Sequence, residues 1–214
     1  MATDLKNYRK SYEKNTLTMA EANANPFDQF KQWFQEVEEA GGLDEVNAMN
    51  VATYGADGFP KNRIVLLKEY DQKGFVFYTN YASEKGQAIV DHPHVCLSFF
   101  WANLERQVII KGIAHKVPAA QSDAYFNSRP KGSQLGALAS PQSQVIESRE
   151  VLQKRLKNLE DEYVNKPVQR PESWGGFLVS PIAFEFWQGR PNRLHDRIRY
   201  VPEADCWKKE RLAP

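Results

Sequence analysis

Apolar residues first fall into a regular rhythm at residue 26. Phe27, Phe30, Trp33, Phe34 and Val37 recur three and four positions apart, the spacing of one face of a helix. Asn25 offers a capping side chain, Pro26 suits the first helical position, and Gly41-Gly42 supplies the stop. The pattern predicts an amphipathic helix whose stripe covers a core, a structural role rather than a chemical one. Residues 1–25 are polar and without sustained period. They are expected to form a mobile segment that orders against a partner or ligand, with residues 26–214 as a single domain.

From residue 49 the period shortens. MNVATY, RIVLLKEY and FVFYTN read as strands separated by the turns GADGFP and DQKG, a hairpin texture. A short helix is expected over SEKGQAIVDH, then two strands, VCLSFFW and ERQVIIKGIAHKV, across the link ANLE. PAAQSDAYFNSR reads as a helix opened by Pro118. SREVLQKRLKNLEDEY reads as a longer one, with Val151, Leu152, Leu156, Leu159 and Tyr163 on one stripe. After the polar connector VNKPVQRPES come GGFLVSPIAFEFWQG, RLHDRIRYV and CWKKERL, three further strands. The sum is an α+β class, mainly β: a closed or nearly closed antiparallel barrel with helices packed around it, an arrangement that leaves few strand edges exposed.

Composition narrows the function classes. With 28 basic against 27 acidic residues the chain has no global field to draw nucleic acid or an anionic membrane, so neither partner is expected. The two cysteines, Cys96 and Cys206, lie far apart, which fits a reducing compartment and a cytoplasmic protein. No apolar run approaches the roughly 18 residues of a membrane span, and MATDLKNYRK lacks a signal-like apolar region. Of the histidines only His92 and His94 are close-spaced, without a second pair, so no metal site is expected. The usual serine-hydrolase, P-loop and Rossmann signatures are absent from the sequence.

Local charge is another matter. WQGRPNRLHDRIRY, residues 187–200, crowds Arg190, Arg193, His195, Arg197 and Arg199 around a single acid, Asp196. If RLHDRIRY is a strand, Arg193, His195, Arg197 and Arg199 share one face. A solvated charged face would explain that. So would an anion or ring edge held by planar guanidinium forks beside a titratable imidazole. Further cations sit at element ends: Arg63 and Lys68 bracket IVLL, and Lys85 opens a helix after Tyr78-Thr79, a phosphate-seat arrangement. Tyr125, Arg129 and Ser133 are spaced i, i+4, i+8, with Pro130 breaking the helix beyond Arg129.

These residues fall into a familiar order. RIVLLK, FYTN, ERQV, YFNSRPKGSQLGA, SWGGF, EFWQG, RLHDR and the terminal ERLAP resemble the pyridoxamine 5'-phosphate oxidase family from about residue 26 onward. The resemblance implies a split β-barrel and a homodimer with FMN at the subunit interface. It also implies oxidation of pyridoxamine 5'-phosphate or pyridoxine 5'-phosphate to pyridoxal 5'-phosphate, with O2 as electron acceptor and H2O2 as product. Arg63, Lys68, Tyr78, Thr79, Lys85, Gln107, Gln142, Ser143, Trp187 and Arg197 resemble its flavin contacts. Lys68, Tyr125, Arg129 and Ser133 resemble its substrate-phosphate seat. Arg193 and His195 resemble the catalytic pair that holds the substrate ring. Arg9 and Tyr12 are similar to a segment that closes over substrate.

One position departs from the pattern. Where the family usually places an arginine, this chain has Glu84, and one lost charge-assisted bond weakens binding by roughly 10- to 150-fold. Two other readings compete: a split-barrel flavin binder without turnover, and a nucleic-acid barrel stacking bases on Trp101 and Trp187. The second phosphate seat disfavours the first, and neutral charge the other.

Overall fold

The computed structural model describes residues 3–214. In chain order the elements are α1 (Pro26–Ala40), β1 (Ala48–Tyr54), β2 (Pro60–Leu66), β3 (Glu69–Asp71), β4 (Gly74–Asn80), α2 (Glu84–Asp91), β5 (His94–Trp101) and β6 (Arg106–Lys116). Then come α3 (Ala119–Ser128), α4 (Lys131–Ala139), α5 (Arg149–Glu162), β7 (Trp174–Gln188), β8 (Asp196–Glu203) and β9 (Cys206–Leu212). The strands hydrogen-bond in the order β2-β1-β5-β6-β7-β4-β3, with β8 on β7 and β9 on β8. The long β7 pairs antiparallel with β4 through Trp174–Val179 and with β8 through Phe184–Gln188. Contacts gather the chain into two compact units.

The first unit takes the chain up to Met49, Leu97–Lys111 and Pro181–Pro214. Helix α1 begins as its sequence dictates: the Asn25 side chain accepts the Phe27 N–H, and Gly41 ends it at φ 63°. Its buried stripe meets aromatic rings, with Phe27 5.1 Å from Phe184, Phe30 5.1 Å from Phe99 and Trp33 5.2 Å from Phe186. Truncating Trp33, 2% exposed, to alanine would cost about 3–5 kcal/mol. Trp101 is buried too and donates its indole N–H to Val46 O at 3.0 Å, so it offers no stacking surface. The chain before α1 packs along β8 and β9: Leu17 is buried, its N–H reaches Asp196, and Lys209 Nζ donates to Met19 O and Ala22 O.

The strand expected over RLHDRIRYV is shorter than its alternation suggested. Residues 191–193 form a 3-10 turn in which Asn192 and Arg193 take positive φ, and β8 starts only at Asp196. The backbone N–H of Arg190 donates to His195 Nδ1 at 3.1 Å, closing a loop that keeps both Arg193 and His195 off the strand. The alternating face therefore holds for Arg197 and Arg199 alone, opposite buried Ile198 and Tyr200.

The second unit takes Asn50–Cys96 and Gly112–Ser180. Central strand β4 is buried on both faces at Phe75, Val76 and Phe77. RIVLLKEY proves to be two strands, because Leu67 turns into the core and Lys68 N–H closes onto Val76 O at 2.9 Å. Helix α4 went unforeseen. Pro130 ends α3, and buried Gln134 of α4 then donates its amide to Phe126 O and Arg129 O, satisfying carbonyls that the helix end leaves open. No side chain of α5 is buried, yet Leu156, Leu159 and Tyr163 of its stripe rest on a cluster of Phe126, Leu135, Val168 and Trp174.

Candidate functional site

The second unit holds a cleft of about 480 Å³ lined by Lys68, Tyr78, Thr79, Lys85, Tyr125, Arg129, Ser133, Gln142 and Trp174, among others. Each arrives from a different local cause. Lys68 occupies the break between β2 and β3; Tyr78 and Thr79 end β4; Lys85 lies in the first turn of α2, whose cap is Ser83, accepting the Gly86 N–H. Tyr125 belongs to α3, Arg129 is the extended residue after it, and Ser133 lies in the first turn of α4. The helical face expected of Tyr125 and Arg129 stops short of Arg129, which is already extended, and the break expected at Pro130 is the corner that brings Ser133 beside them.

One wall of the cleft is a stack of rings. Tyr78 and Tyr125 lie 3.9 Å apart at 18°, and Trp174 continues the stack 5.6 Å from Tyr78 at 12°. The Arg129 guanidinium sits 4.6 Å from the Trp174 ring centroid, a cation–π contact that fixes its plane. Arg129 Nη1 is buried and makes no hydrogen bond among the described residues. Burial holds the Arg129 pKa below the usual arginine value, and an anion placed there would supply the missing acceptor. Trp174 was not among the residues singled out from the sequence. Its signal was only its place in SWGGF beside two glycines, one of which, Gly176, lets Tyr78 approach within 2.8 Å of where a Cβ would stand.

Across the cleft Lys85 Nζ lies 3.3 Å from both Thr79 Oγ1 and Gln142 Oε1, two neutral groups. Burial, and then the neighbouring Arg63, push its pKa below the ordinary lysine value. Arg63 itself is engaged: its Nη2 is 2.5 Å from Glu84 Oε2, and Glu84 also binds Lys61. The carboxylate that replaces the expected arginine is therefore no solvent-facing bystander. Ser143 lies just beyond Gln142 in an exposed loop with φ 72°.

The first unit gathers the other expected residues. Trp187 and His195 have ring centroids 4.6 Å apart, and Tyr12 packs 5.8 Å from Trp187 and 6.0 Å from His195. Because His195 Nδ1 accepts the Arg190 N–H, the neutral ring carries its proton on Nε2. Burial, then the positive charge of Arg193, holds the His195 pKa below 6.5. Most cations of the run are paired: Arg197 with Glu185 at 2.7 Å, Arg199 with Glu210 at 2.5 Å, Arg190 with Asp196 at 3.5 Å. The bland reading of the cluster holds for Arg199. Arg193 is exposed, and among the described residues no carboxylate pairs with it. Gln107 donates to Ser98 Oγ in this unit, while exposed Arg9 donates its side-chain Nε–H to Lys6 O and its backbone N–H to Asn7 O.

Residues 35–162 match the sequence profile of pyridoxamine 5'-phosphate oxidase, and residues 174–214 match that of the pyridoxine 5'-phosphate oxidase C-terminal dimerisation region. The chain belongs to the pyridoxamine 5'-phosphate oxidase family. It is accordingly an oxidoreductase. A pyridoxine/pyridoxamine 5'-phosphate oxidase of Flavobacterium johnsoniae is 60% identical over 211 residues, covering 98% of this chain and 99% of the relative. One from Flavobacterium psychrophilum is 59% identical, covering 99% of each. Among solved structures, PhzG from Burkholderia lata in complex with tetrahydrophenazine-1-carboxylic acid superposes with a TM-score of 0.86 at 25% identity, covering 94% of this chain and 98% of that one. The fold is the family's split β-barrel. The family's first region contains all the cleft residues except Trp174, and its dimerisation region contains Trp174, Trp187, Arg193, His195 and Arg197. Among the described residues no helix is long and apolar enough to cross a membrane, and no three His, Cys, Asp or Glu side chains are placed to hold a metal.

Proposed function

We propose that the protein oxidises pyridoxamine 5'-phosphate and pyridoxine 5'-phosphate to pyridoxal 5'-phosphate. It does so as a homodimer with FMN at the subunit interface, in the cytoplasm, where its two free cysteines suit reducing conditions. FMN is the cofactor of this family. The donors around the cleft fit a phosphorylated flavin: Lys85, short of anionic partners, Thr79, Gln142 and Lys68 are groups that hold phosphate and carbonyl oxygens. When bound, FMN would supply the two-electron redox chemistry linking oxidation at the substrate's C4' carbon to reduction of O2. For the alcohol the balance is substrate plus O2 giving aldehyde plus H2O2; for the amine, one water enters and ammonia also leaves.

The observation that carries the substrate half is the buried, unpartnered Nη1 of Arg129. A phosphate monoester carries about −1.5 to −2 charges near neutral pH, and Arg129, Lys68, Ser133 and the Tyr125 hydroxyl offer it a matched set of donors. In the first unit Arg193 and His195 orient the pyridine ring. His195 offers its Nε2 proton to the hydroxyl oxygen on the ring, and burial, then the adjacent Arg193 charge, keeps the imidazole neutral, so that its Nδ1 accepts the Arg190 N–H. Tyr12 and Arg9 close the ring off from water. The resident charges need not move, and catalysis by this chain is alignment in a fixed field.

Anaerobic addition of each phosphorylated vitamer to the yellow holoprotein tests the reading. Bleaching of the flavin absorption, recovered with stoichiometric H2O2 on admitting air, is expected. Persistent colour with both vitamers would instead favour a flavin binder without turnover.

A further inference from the structure

We propose that Glu105 is a positioning residue that seats residues 10–14 so that Tyr12 covers Trp187 and His195. The inference rests on the reading of His195 as a substrate-facing residue. Glu105 ends the tight turn between β5 and β6, takes φ 57°, and is 2% exposed, so its carboxylate is buried where only partners justify it. All of those partners come from the N-terminal segment. Oε2 accepts the backbone N–H of Glu13 at 2.9 Å and of Lys14 at 3.1 Å, and Oε1 lies 3.1 Å from Lys10 Nζ. Burial alone would raise this pKa, yet the two backbone N–H groups and Lys10 together hold it below the usual glutamate value. The same residue reaches the other side of the seat, because its carbonyl oxygen accepts the Gly189 N–H at 2.8 Å and the Gln188 amide at 3.2 Å.

Gly189 completes the device. A Cβ there would lie 2.8 Å from Cβ, Cγ and Cδ2 of Tyr12, so the absent side chain is the space into which the tyrosine packs. Glu105 thus fixes the backbone of the segment at residues 13 and 14, Gly189 admits the ring of Tyr12, and the ring lies against Trp187 and His195. Lys14 Nζ adds a bond to Asn103 O at 2.5 Å, and Arg190 Nη1 one to Asn15 O at 3.0 Å, so the segment is tied beyond the latch as well. A side chain that touches neither ring of the pair nevertheless decides where the covering tyrosine stands.

Trypsin reports the seating directly, since Arg9, Lys10 and Lys14 are cleavage points within the segment. In holoprotein carrying Glu105→Gln, which neutralises the carboxylate at nearly constant shape, cleavage there should accelerate by about tenfold. KM for pyridoxine 5'-phosphate should rise by about the same factor, kcat change less than about twofold, and the FMN dissociation constant stay as in wild type. Gly189→Ala, which leaves Glu105 intact but fills the space of Tyr12, should reproduce the KM rise. If both variants kept wild-type cleavage and KM, the proposal would be overturned. It would equally be overturned if Glu105→Gln weakened FMN binding as much as substrate binding, the mark of general loosening. Should Glu105→Gln fail to fold, Gly189→Ala and Lys10→Met decide by the same assay, read for Lys10→Met at Arg9 and Lys14, the cleavage points it retains. Wild-type protein that turned over neither vitamer would sink the function reading, while the cleavage comparison still decides the latch.

Discussion

The two units treat positive charge in opposite ways. In the second, no carboxylate forms an ion pair with Arg129 or Lys85 among the described residues: Arg129 has a buried nitrogen without an acceptor, and the Lys85 ammonium bonds a hydroxyl and an amide. In the first, carboxylates meet nearly every arginine of the run, with Glu185, Glu210 and Asp196 each taking one or more. A group that must attract a dianion keeps its charge uncompensated and bears the desolvation itself. A group that must hold a ring in place is better locked by a partner, and Arg197, held by Glu185 and by Ala213 O, fits that description under the proposed function. Arg193 is the exception in the run, and it stands beside His195, whose pKa burial and then this charge lower.

That exception should produce the largest effect. Arg193→Ala removes a free charge and the smaller of the two causes that lower the His195 pKa, and kcat/KM should fall by about a hundredfold while FMN affinity holds. Steady-state rates with pyridoxine 5'-phosphate, alongside an FMN titration of apoprotein, measure both. Equal losses of the two would erase the division of labour between the units. Arg129→Ala is its counterpart in the cleft. Losing one charge-assisted bond to phosphate should raise KM by roughly 10- to 150-fold. Unphosphorylated pyridoxine, which cannot use the seat, should be turned over by wild type and variant alike.

How far these roles were readable in advance depends on whether a residue acts through local order or through distant packing. The cap at Asn25, the stop at Gly41 and the β period of FVFYTN are written in neighbouring residues, and the structure follows them. The corner at Pro130 was half legible. Proline announced the break, but the rescue by Gln134 depends on carbonyls that only the fold brings near. RLHDR misled because alternation in sequence says nothing about where a strand begins, and the bond from Arg190 N–H to His195 Nδ1 delays it by three residues. Trp174 and Glu105 were invisible as site residues, since their partners lie far along the chain: Tyr125 for one, Glu13 and Lys14 for the other.

Protonation of His195 gives a smaller, graded effect. Its pKa in the folded protein lies below the ordinary 6.5, so at neutral pH the ring is uncharged and Nδ1 free to accept. Acid reverses this. As pH falls through the folded pKa the ring charges beside Arg193, the Arg190 bond is lost, and kcat/KM should drop about tenfold per unit. The linked stability has the same sign. The unfolded chain binds the proton first, so stability declines as pH falls from about 6.5 to the folded value and is level below it. A kcat/KM profile from pH 5 to 8 shows the limb, and His195→Asn, which keeps an acceptor for the Arg190 N–H, should abolish it. An acid limb that survived in the asparagine variant would belong to another group.

Glu84 offers the finest test, because it breaks the rule that the cleft's cations go without carboxylates. It binds Lys61 and Arg63, so an arginine expected to face the flavin is partly neutralised before any ligand arrives. Lys61 is shared in turn with Asp57 at 2.8 Å, which makes the group a chain of charges along β2 rather than one pair. Exposed pairs of this kind are weak, so the carboxylate should be displaced at little cost, well below the loss that a missing arginine alone suggests. Glu84→Gln frees both cations and should tighten FMN binding by about two- to fivefold. Glu84→Arg should tighten it further by adding a donor. Riboflavin, which lacks the phosphate, should bind all three proteins equally. If FMN and riboflavin responded alike, Glu84 would be acting on the ring system or on the fold, and the contrast between an open and a compensated set of cations would not extend to this edge of the cleft.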